Sequence, residues 1–474
     1  MLFPTIDFAV FFMVVLLGNW LTMPHPRVWR WFILGASYFF YGYWDGRFVA
    51  LLAGSSLVNQ LLAERIATAA SPRSRRALLS VAVAANLVVL GLFKYYGFLV
   101  SSVANTLHLA GFEPSVPLLQ IILPVGISFF TFQALSYVID VYRGELEPGA
   151  RLDFAVYLAF FPQLVAGPIV RASEFLPQLR SPRNPRAIDS SRAFYLIFIG
   201  LAKKIVIADY LATHLVDEVF GVPGQHSSLE VLTAIYAYAV QIYADFSAYS
   251  DIAIGVGLLL GFHLPDNFNA PYTARSLREF WHRWHMTLSR WLRDYLYIPL
   301  GGSRGGRLAS YHNLMLTMLL GGLWHGAAWR FVLWGGLHGA GLVYDRERQQ
   351  RRSARGVGTA PSTPLRRAGQ RLVTFHLVCL GWIFFRADSL ATAGELLSRL
   401  FTAWGPAPAV TPAILLAIAV GIAAQYVPRD GVLRLQDAFS RLTPTVQGVA
   451  LAAVLFVIDA LGPEGVAAFI YFQF

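Results

Sequence analysis

The sequence predicts an all-α integral membrane protein with many spans, and three observations carry that prediction. Apolar side chains make up 56% of the 474 residues and charged ones only 14%, with a mean hydropathy of +0.52; a soluble domain carries about 25% charged residues. Apolar runs near the roughly 20 residues that a helix needs to cross hydrocarbon recur along the chain. The net charge of +11 is almost entirely arginine, since only Lys94, Lys203 and Lys204 are lysines, and those arginines gather in alternate connections, as a membrane topology requires.

The first run, 4–23, ends at Pro24 and Arg27 and has neither a basic leader nor a small-residue cleavage site, so it reads as a retained span rather than a signal peptide. Further spans are predicted near 28–44, 47–64, 77–103, 117–141, 229–262, 310–328, 330–344, 370–386, 410–427 and 446–461, about eleven in all. Segments 153–170 and 190–220 are apolar but interrupted, the first by Pro162 and Pro168 and the second by Lys203-Lys204, and read as re-entrant or tilted. Arg27 and Arg30, then Arg65, Arg73, Arg75 and Arg76, then Arg143 and Arg151 follow the first, third and fifth spans, whereas 104–116 holds no Lys or Arg. That alternation places the N-terminus outside the cytoplasm and the His282/His285 region on the cytoplasmic side.

One membrane-embedded domain is expected over 1–474. It comprises an N-terminal and catalytic portion (1–345), a flexible basic loop (346–371, with Gly356, Gly358, Pro361 and Pro364) and C-terminal spans (372–474). No internal repeat is visible, hence no sign of the duplicated halves common in transporters. The arginines serve topology, so nucleic acid is set aside as a partner. Cys379, the one cysteine, lies in the apolar run 372–385, which excludes an intramolecular disulfide and reads as core.

Segment 276–297 carries Arg278, Glu279, Arg283, Arg290, Arg293 and Asp294, too many charges for a span. Trp281, Trp284, Leu288, Trp291 and Tyr295 recur at helical spacing, which predicts an amphipathic helix lying at the interface or capping a cavity. His285 borders that stripe and His282 lies near it. They can sit among headgroups or line a site; two histidines three apart also suit metal, but His312, His325 and His338 complete no zinc-ligand spacing, so no metal is assigned. His325, in Leu323-Trp324-His325-Gly326, lies roughly 20 Å along a helix that starts in a basic loop. An interfacial histidine bonded to a carbonyl is one reading. Gly321, Gly322 and Gly326 favour the other, a buried imidazole that a neighbouring helix or a substrate approaches closely and whose ordinary pKa near 6.5 suits base catalysis. On 229–262, Asp245 and Asp251 must be paired or face water, and each is expected to meet an arginine or line the same cavity.

The segments Phe160-Phe161-Pro162-Gln163-Leu164-Val165-Ala166-Gly167-Pro168-Ile169, Asp245-Phe246-Ser247-Ala248-Tyr249-Ser250-Asp251, Phe280-Trp281-His282-Arg283-Trp284-His285-Met286-Thr287-Leu288-Ser289 and Leu323-Trp324-His325-Gly326 resemble those of the membrane-bound O-acyltransferases. Trp382-Ile383-Phe384-Phe385-Arg386-Ala387 and Phe469-Ile470-Tyr471-Phe472-Gln473-Phe474 are similar to the alginate-acetylating branch; His282 stands where the D-alanylating branch usually has asparagine. The resemblance covers nearly the whole chain. It implies helices around a funnel running from the cytoplasm toward the outer face, with His285 and His325 as the two family histidines.

A deep His325 and a cytoplasm-side His285 lead to the expectation of a cytoplasmic thioester donor, acetyl-CoA, with no bound cofactor. His325 is expected to act as general base or acyl carrier, and His285 to position the thioester or stabilise the oxyanion. Arg278, Arg283 and Arg290 attract the donor's phosphates, and Trp281, Trp284, Trp324 and Asp251 complete the expected substrate contacts. The expected setting is the bacterial inner membrane, the bilayer itself being one partner. A periplasmic SGNH-type acetyltransferase and the polysaccharide export machinery are the others, and the product is an O-acetylated exported polysaccharide such as alginate. Rival classes are D-alanyl or other acyl transfer to an envelope polymer, a lipid-linked sugar transporter, which would break no thioester, and a scaffold, which would tolerate loss of both histidines.

Overall fold

The structure, a computed structural model, describes residues 1–112, 119, 121–165, 167–181, 184–355, 363–461 and 469–470. Every regular element among them is helical. Two helices are by themselves long and apolar enough to cross a membrane, Pro72–Leu109 and Pro364–Arg386, and the pair Pro412–Tyr426 and Asp430–Ser440, bent by 93°, makes a third if taken as one span. Others run shorter, such as Ile6–Thr22 with 17 residues, or are diluted by polar and glycine positions that pack inside the protein. The predicted span at 117–141 is narrower than its apolar run, because the helix begins only at Ile127 and ends at Arg143. The chain divides into two compact units, Met1–Ile188 with Val256–Pro265, and Asp189–Gly255 with Asp266–Phe474.

In the first unit polar side chains join helices whose outer faces are greasy, as helices in lipid require, since apolar contact alone gives them little preference for one another. Trp29 Nε1 donates to Asn19 Oδ1 at 2.7 Å. Asn59 and Asn86 exchange amide bonds, 2.7 Å in one direction and 3.3 Å in the other. Tyr137 Oη donates to Gln60 Oε1 at 2.8 Å, and Gln60 Nε2 donates to the Gly149 carbonyl at 2.7 Å. Arg30 meets Asp153 at 2.5 Å. The proline-bearing segment breaks as its composition predicts, into Arg151–Ala159 and Phe161–Leu164, and Phe160 and Phe175 stack their rings around Phe262 at 5.1 Å. Ala166 of that motif lies outside the described residues.

The second unit holds every residue of the candidate site. Its first helix, Ser190–Ala202, runs into a wide π-turn over Lys203–Asp209, so the lysine pair interrupts regular winding where the sequence breaks apolarity. A long helix, Ser228–Leu259, carries the polar run from Gln241 to Asp251. The helices Gly306–His325 and Trp329–Ala354 pack antiparallel as a hairpin. The basic loop expected at 346–371 is helical at both ends, through Ala354 and from Pro364, while Gly356, Gly358 and Pro361 lie outside the described residues.

Candidate active site

The single amphipathic helix expected over 276–297 does not form. Ser276 caps a helix of five residues, Leu277–Trp281, by accepting from the Glu279 amide at 3.2 Å. The chain then turns through His282–Trp284, and His285 takes a left-handed conformation, φ 43°, before Met286–Leu292 resumes. Backbone bonds to an extended segment enforce the break: Met286 N donates to the Asn267 carbonyl and Asn269 N to the Arg283 carbonyl, each at 2.9 Å. A left-handed non-glycine residue costs of order 1–3 kcal/mol and persists only where its surroundings over-determine it. The expected stripe is buried all the same, Trp281, Trp284, Leu288, Trp291 and Tyr295 each below one-tenth exposure.

The turn carries the His285 ring inward, fully buried, while His282 stays exposed. Asn267 Oδ1 accepts from His285 Nδ1 at 3.1 Å and from Thr287 Oγ1 at 2.9 Å, while Asn267 Nδ2 donates to Ser250 Oγ at 3.2 Å. An amide oxygen is acceptor only, so the imidazole proton sits on Nδ1 and Nε2 presents a lone pair. Burial pushes the His285 pKa down to about 3, which keeps the ring neutral. The Phe246 ring stands edge-on to it at 4.7 Å.

His325 is the last residue of its helix and is 3% exposed. Three aromatic rings meet it near perpendicular, Trp324 and Trp334 at 5.0 Å and Phe385 at 5.4 Å. Trp324 also approaches the other histidine, 6.1 Å from His285 by ring centroids. The glycines around His325 admit neighbouring backbone. A Cβ on Gly322 would stand 2.2 Å from the Phe331 carbonyl oxygen, one on Gly335 2.3 Å from that of Met318, and one on Gly326 1.9 Å from the Phe331 ring.

The remaining candidates are distributed. Trp281 Nε1 donates to His338 Nδ1 at 3.3 Å, and Trp284 packs on Trp382 at 5.0 Å. Arg278 is exposed and donates to Gln349 at 2.7 Å, and Arg290 is half-buried. Arg283 is held by Glu279 at 2.9 Å and by the Asn269 carbonyl at 3.2 Å. Burial pushes the Glu279 pKa up, but hydrogen bonds from the Arg275 amide and guanidinium and from Arg283 outweigh it and hold the carboxyl below its usual range. Asp251 and Asp245 meet lysines, not the expected arginines. Lys203 reaches Asp251 at 2.5 Å and Ser247 at 2.8 Å, and Lys204 bridges Asp209 at 2.6 Å and Asp245 at 2.9 Å. Asp251 is therefore engaged in an ion pair with Lys203.

Sequence reasoning missed Asn267, which lies in a stretch without periodicity, and Trp334, whose helical spacing to His338 carries no signal of its own. Of the C-terminal motif only Phe469 and Ile470 are described. Ile470 N donates to Asp245 Oδ2 at 2.8 Å and Phe469 packs on Tyr249 at 4.2 Å, while Tyr471 to Phe474 lie outside the described residues.

The family model for MBOAT, the membrane-bound O-acyltransferase family, matches residues 147–385, a stretch that contains both histidines. The chain is 42% identical over 408 residues to the probable alginate O-acetylase of Pseudomonas aeruginosa, covering 85% of this chain and 75% of that protein. It is 37% identical to the peptidoglycan O-acetyltransferase of Helicobacter pylori, over 79% of this chain and 73% of the relative. A more distant likeness, 29% over 58% of this chain and 71% of the relative, links it to the teichoic acid D-alanyltransferase of Streptococcus thermophilus.

Proposed function

The chain belongs to the membrane-bound O-acyltransferase family and is an O-acyltransferase, and from that premise we propose that it takes an acetyl group from cytoplasmic acetyl-CoA and passes it across the bilayer for O-acetylation of an exported polysaccharide. One observation carries this reading: two buried imidazoles separated along the chain both approach a single indole, Trp324, at 6.1 and 5.0 Å between ring centroids. In the proposed reaction His325 is the general base for the accepting hydroxyl, or briefly carries the acetyl group. His285 accepts rather than donates at Nε2, so it is given the task of orienting a donor hydrogen of thioester or acceptor, and not the stabilisation of an oxyanion.

About eleven spans around a funnel, an extracytoplasmic N-terminus and an inner-membrane location belong to the same proposal. Arg278, Arg283 and Arg290 are assigned the donor phosphates, and the acetyl group is handed to an extracytoplasmic acetyltransferase of the SGNH type and to the export machinery. The names of the curated relatives, an alginate and a peptidoglycan O-acetylating protein, support a glycan as final acceptor. The test uses membranes supplied with acetyl-CoA labelled in the acetyl group. Wild-type membranes should lose label from the thioester and His325→Ala membranes should not, with equal protein in both; full label transfer by His325→Ala removes the reading.

A further inference from the structure

Beside His325 lie two buried N–H groups that the proposed reaction has not used. His338 is 2% exposed and Trp334 is 1% exposed. The Trp281 indole, which can only donate, gives its hydrogen to His338 Nδ1 at 3.3 Å, so the neutral His338 ring carries its own proton on Nε2. Among the described residues neither His338 Nε2 nor Trp334 Nε1 has a hydrogen-bond partner. Both lie against the same glycine: a Cβ on Gly381 would stand 2.9 Å from His338 Nε2 and 3.4 Å from Trp334 Nε1. The Trp334 ring lies 4.7 Å from that of His338 and 5.0 Å from that of His325. A buried donor left unpaired costs about 1–3 kcal/mol, and native folds pair nearly all of theirs, so two such donors set against one glycine call for an oxygen acceptor.

We propose that His338 Nε2–H and Trp334 Nε1–H form a two-donor cradle beside His325 that takes an oxygen acceptor, and that in turnover this acceptor is the carbonyl oxygen of the acyl group. The inference rests on the acyl-transfer reading above. The accepting hydroxyl gives its proton to His325 and its oxygen bonds to the carbonyl carbon; the carbonyl electron pair moves onto the oxygen held by the two N–H groups. The pair then returns, the carbon–sulfur bond breaks, and the thiolate takes the proton back from His325. Donors fixed in a dry site stabilise that oxygen most when it is charged. His285, whose proton is committed to Asn267, is not available for the task.

The test measures kcat, KM for acetyl-CoA and thermal midpoint on purified protein in detergent micelles. Trp334→Phe keeps an aromatic ring against His325 and loses the N–H together with part of the indole; His338→Phe removes the second donor. Each should lower kcat roughly 10²-fold, the scale of one lost oxyanion donor, with KM changed less than about twofold. His338→Gln, which restores a donor, should recover at least about tenfold of that loss, and Gly381→Ala, which sets a methyl against both donors, should lose as much as the deletions. Wild-type kcat in folded Trp334→Phe and His338→Phe overturns the proposal. So does a lowered midpoint with kcat intact, which would identify the occupant as a structural water. If His325→Ala keeps full activity, the underlying acyl-transfer reading fails and the cradle with it, an outcome recognisable because it is independent of residues 334 and 338.

Discussion

At the scale of single residues, the decisive feature is that each imidazole is held by a different kind of neighbour. Asn267 fixes the His285 tautomer through one oxygen that also ties down Thr287. Asn267→Leu, similar in volume but without that oxygen, should therefore reduce turnover about tenfold or more while the protein stays folded, read as a kcat loss from purified enzyme. The same burial makes stability depend on pH. The unfolded ring binds a proton below its ordinary 6.5, whereas the folded ring resists protonation down to about 3. The stabilising contribution is thus fully present above pH 6.5 and drains away as pH falls toward 3, at up to about 1.4 kcal/mol per pH unit. Thermal midpoints measured from pH 7 to 4.5 should fall less steeply for His285→Gln than for the wild type; parallel curves would contradict this account of the ring.

Among elements, the helical hairpin sets the position of His325. Gly322 and Gly335 let backbone meet backbone, and carbonyl oxygens cannot move aside as a side-chain tip can. Gly335→Ala should consequently destabilise the protein by about 1–3 kcal/mol, the range for overpacking a tight contact. Its neighbour is a built-in control. A Cβ on Gly336 meets only Leu319 Cδ2 at 3.6 Å, an ordinary contact, so Gly336→Ala should be neutral or raise stability by a few tenths of a kcal/mol through helix propensity. Equal effects of the two substitutions on thermal midpoint would show that the crossing is looser than described. The broken helix at 282–285 works at the same scale: interrupting the 3.6-residue period rotates His285 from the border of the stripe into the interior.

For the molecule as a whole, buried charge and exposed apolar surface set the terms. Lys204 is shared by Asp209 and Asp245, all three nearly inaccessible. Lys204→Met would leave two buried carboxylates without that cation, a change that costs about 3–5 kcal/mol for a buried pair, and should appear as loss of folded protein from membranes; wild-type yields and midpoint would refute a structural role. The proposed orientation is testable on the native background, because the one cysteine, Cys379, is 3% exposed. A cysteine at Ser74, in an arginine-bearing connection, should react with an impermeant maleimide only from the cytoplasmic side, and one at Ala110 only from the other; the reverse pattern would invert the topology.

The sequence by itself determined that this is a helical chain of low charge, where its apolar runs break, that Trp281 to Tyr295 form a buried stripe, and which two histidines the family motifs single out. Those properties depend on neighbours in sequence, through hydropathy, periodicity and motif spacing, and so can be read without coordinates. Only the tertiary structure decided that His285 turns inward on a left-handed residue, that Asn267 fixes its proton, that lysines rather than arginines meet Asp245 and Asp251, and that Trp334 and His338 join His325. Each of these depends on atoms that lie on different elements or turns of the chain and meet only in the folded protein, and residues such as Asn267 and Gly381 matter through the bond they accept or the close approach they permit, which no local pattern records.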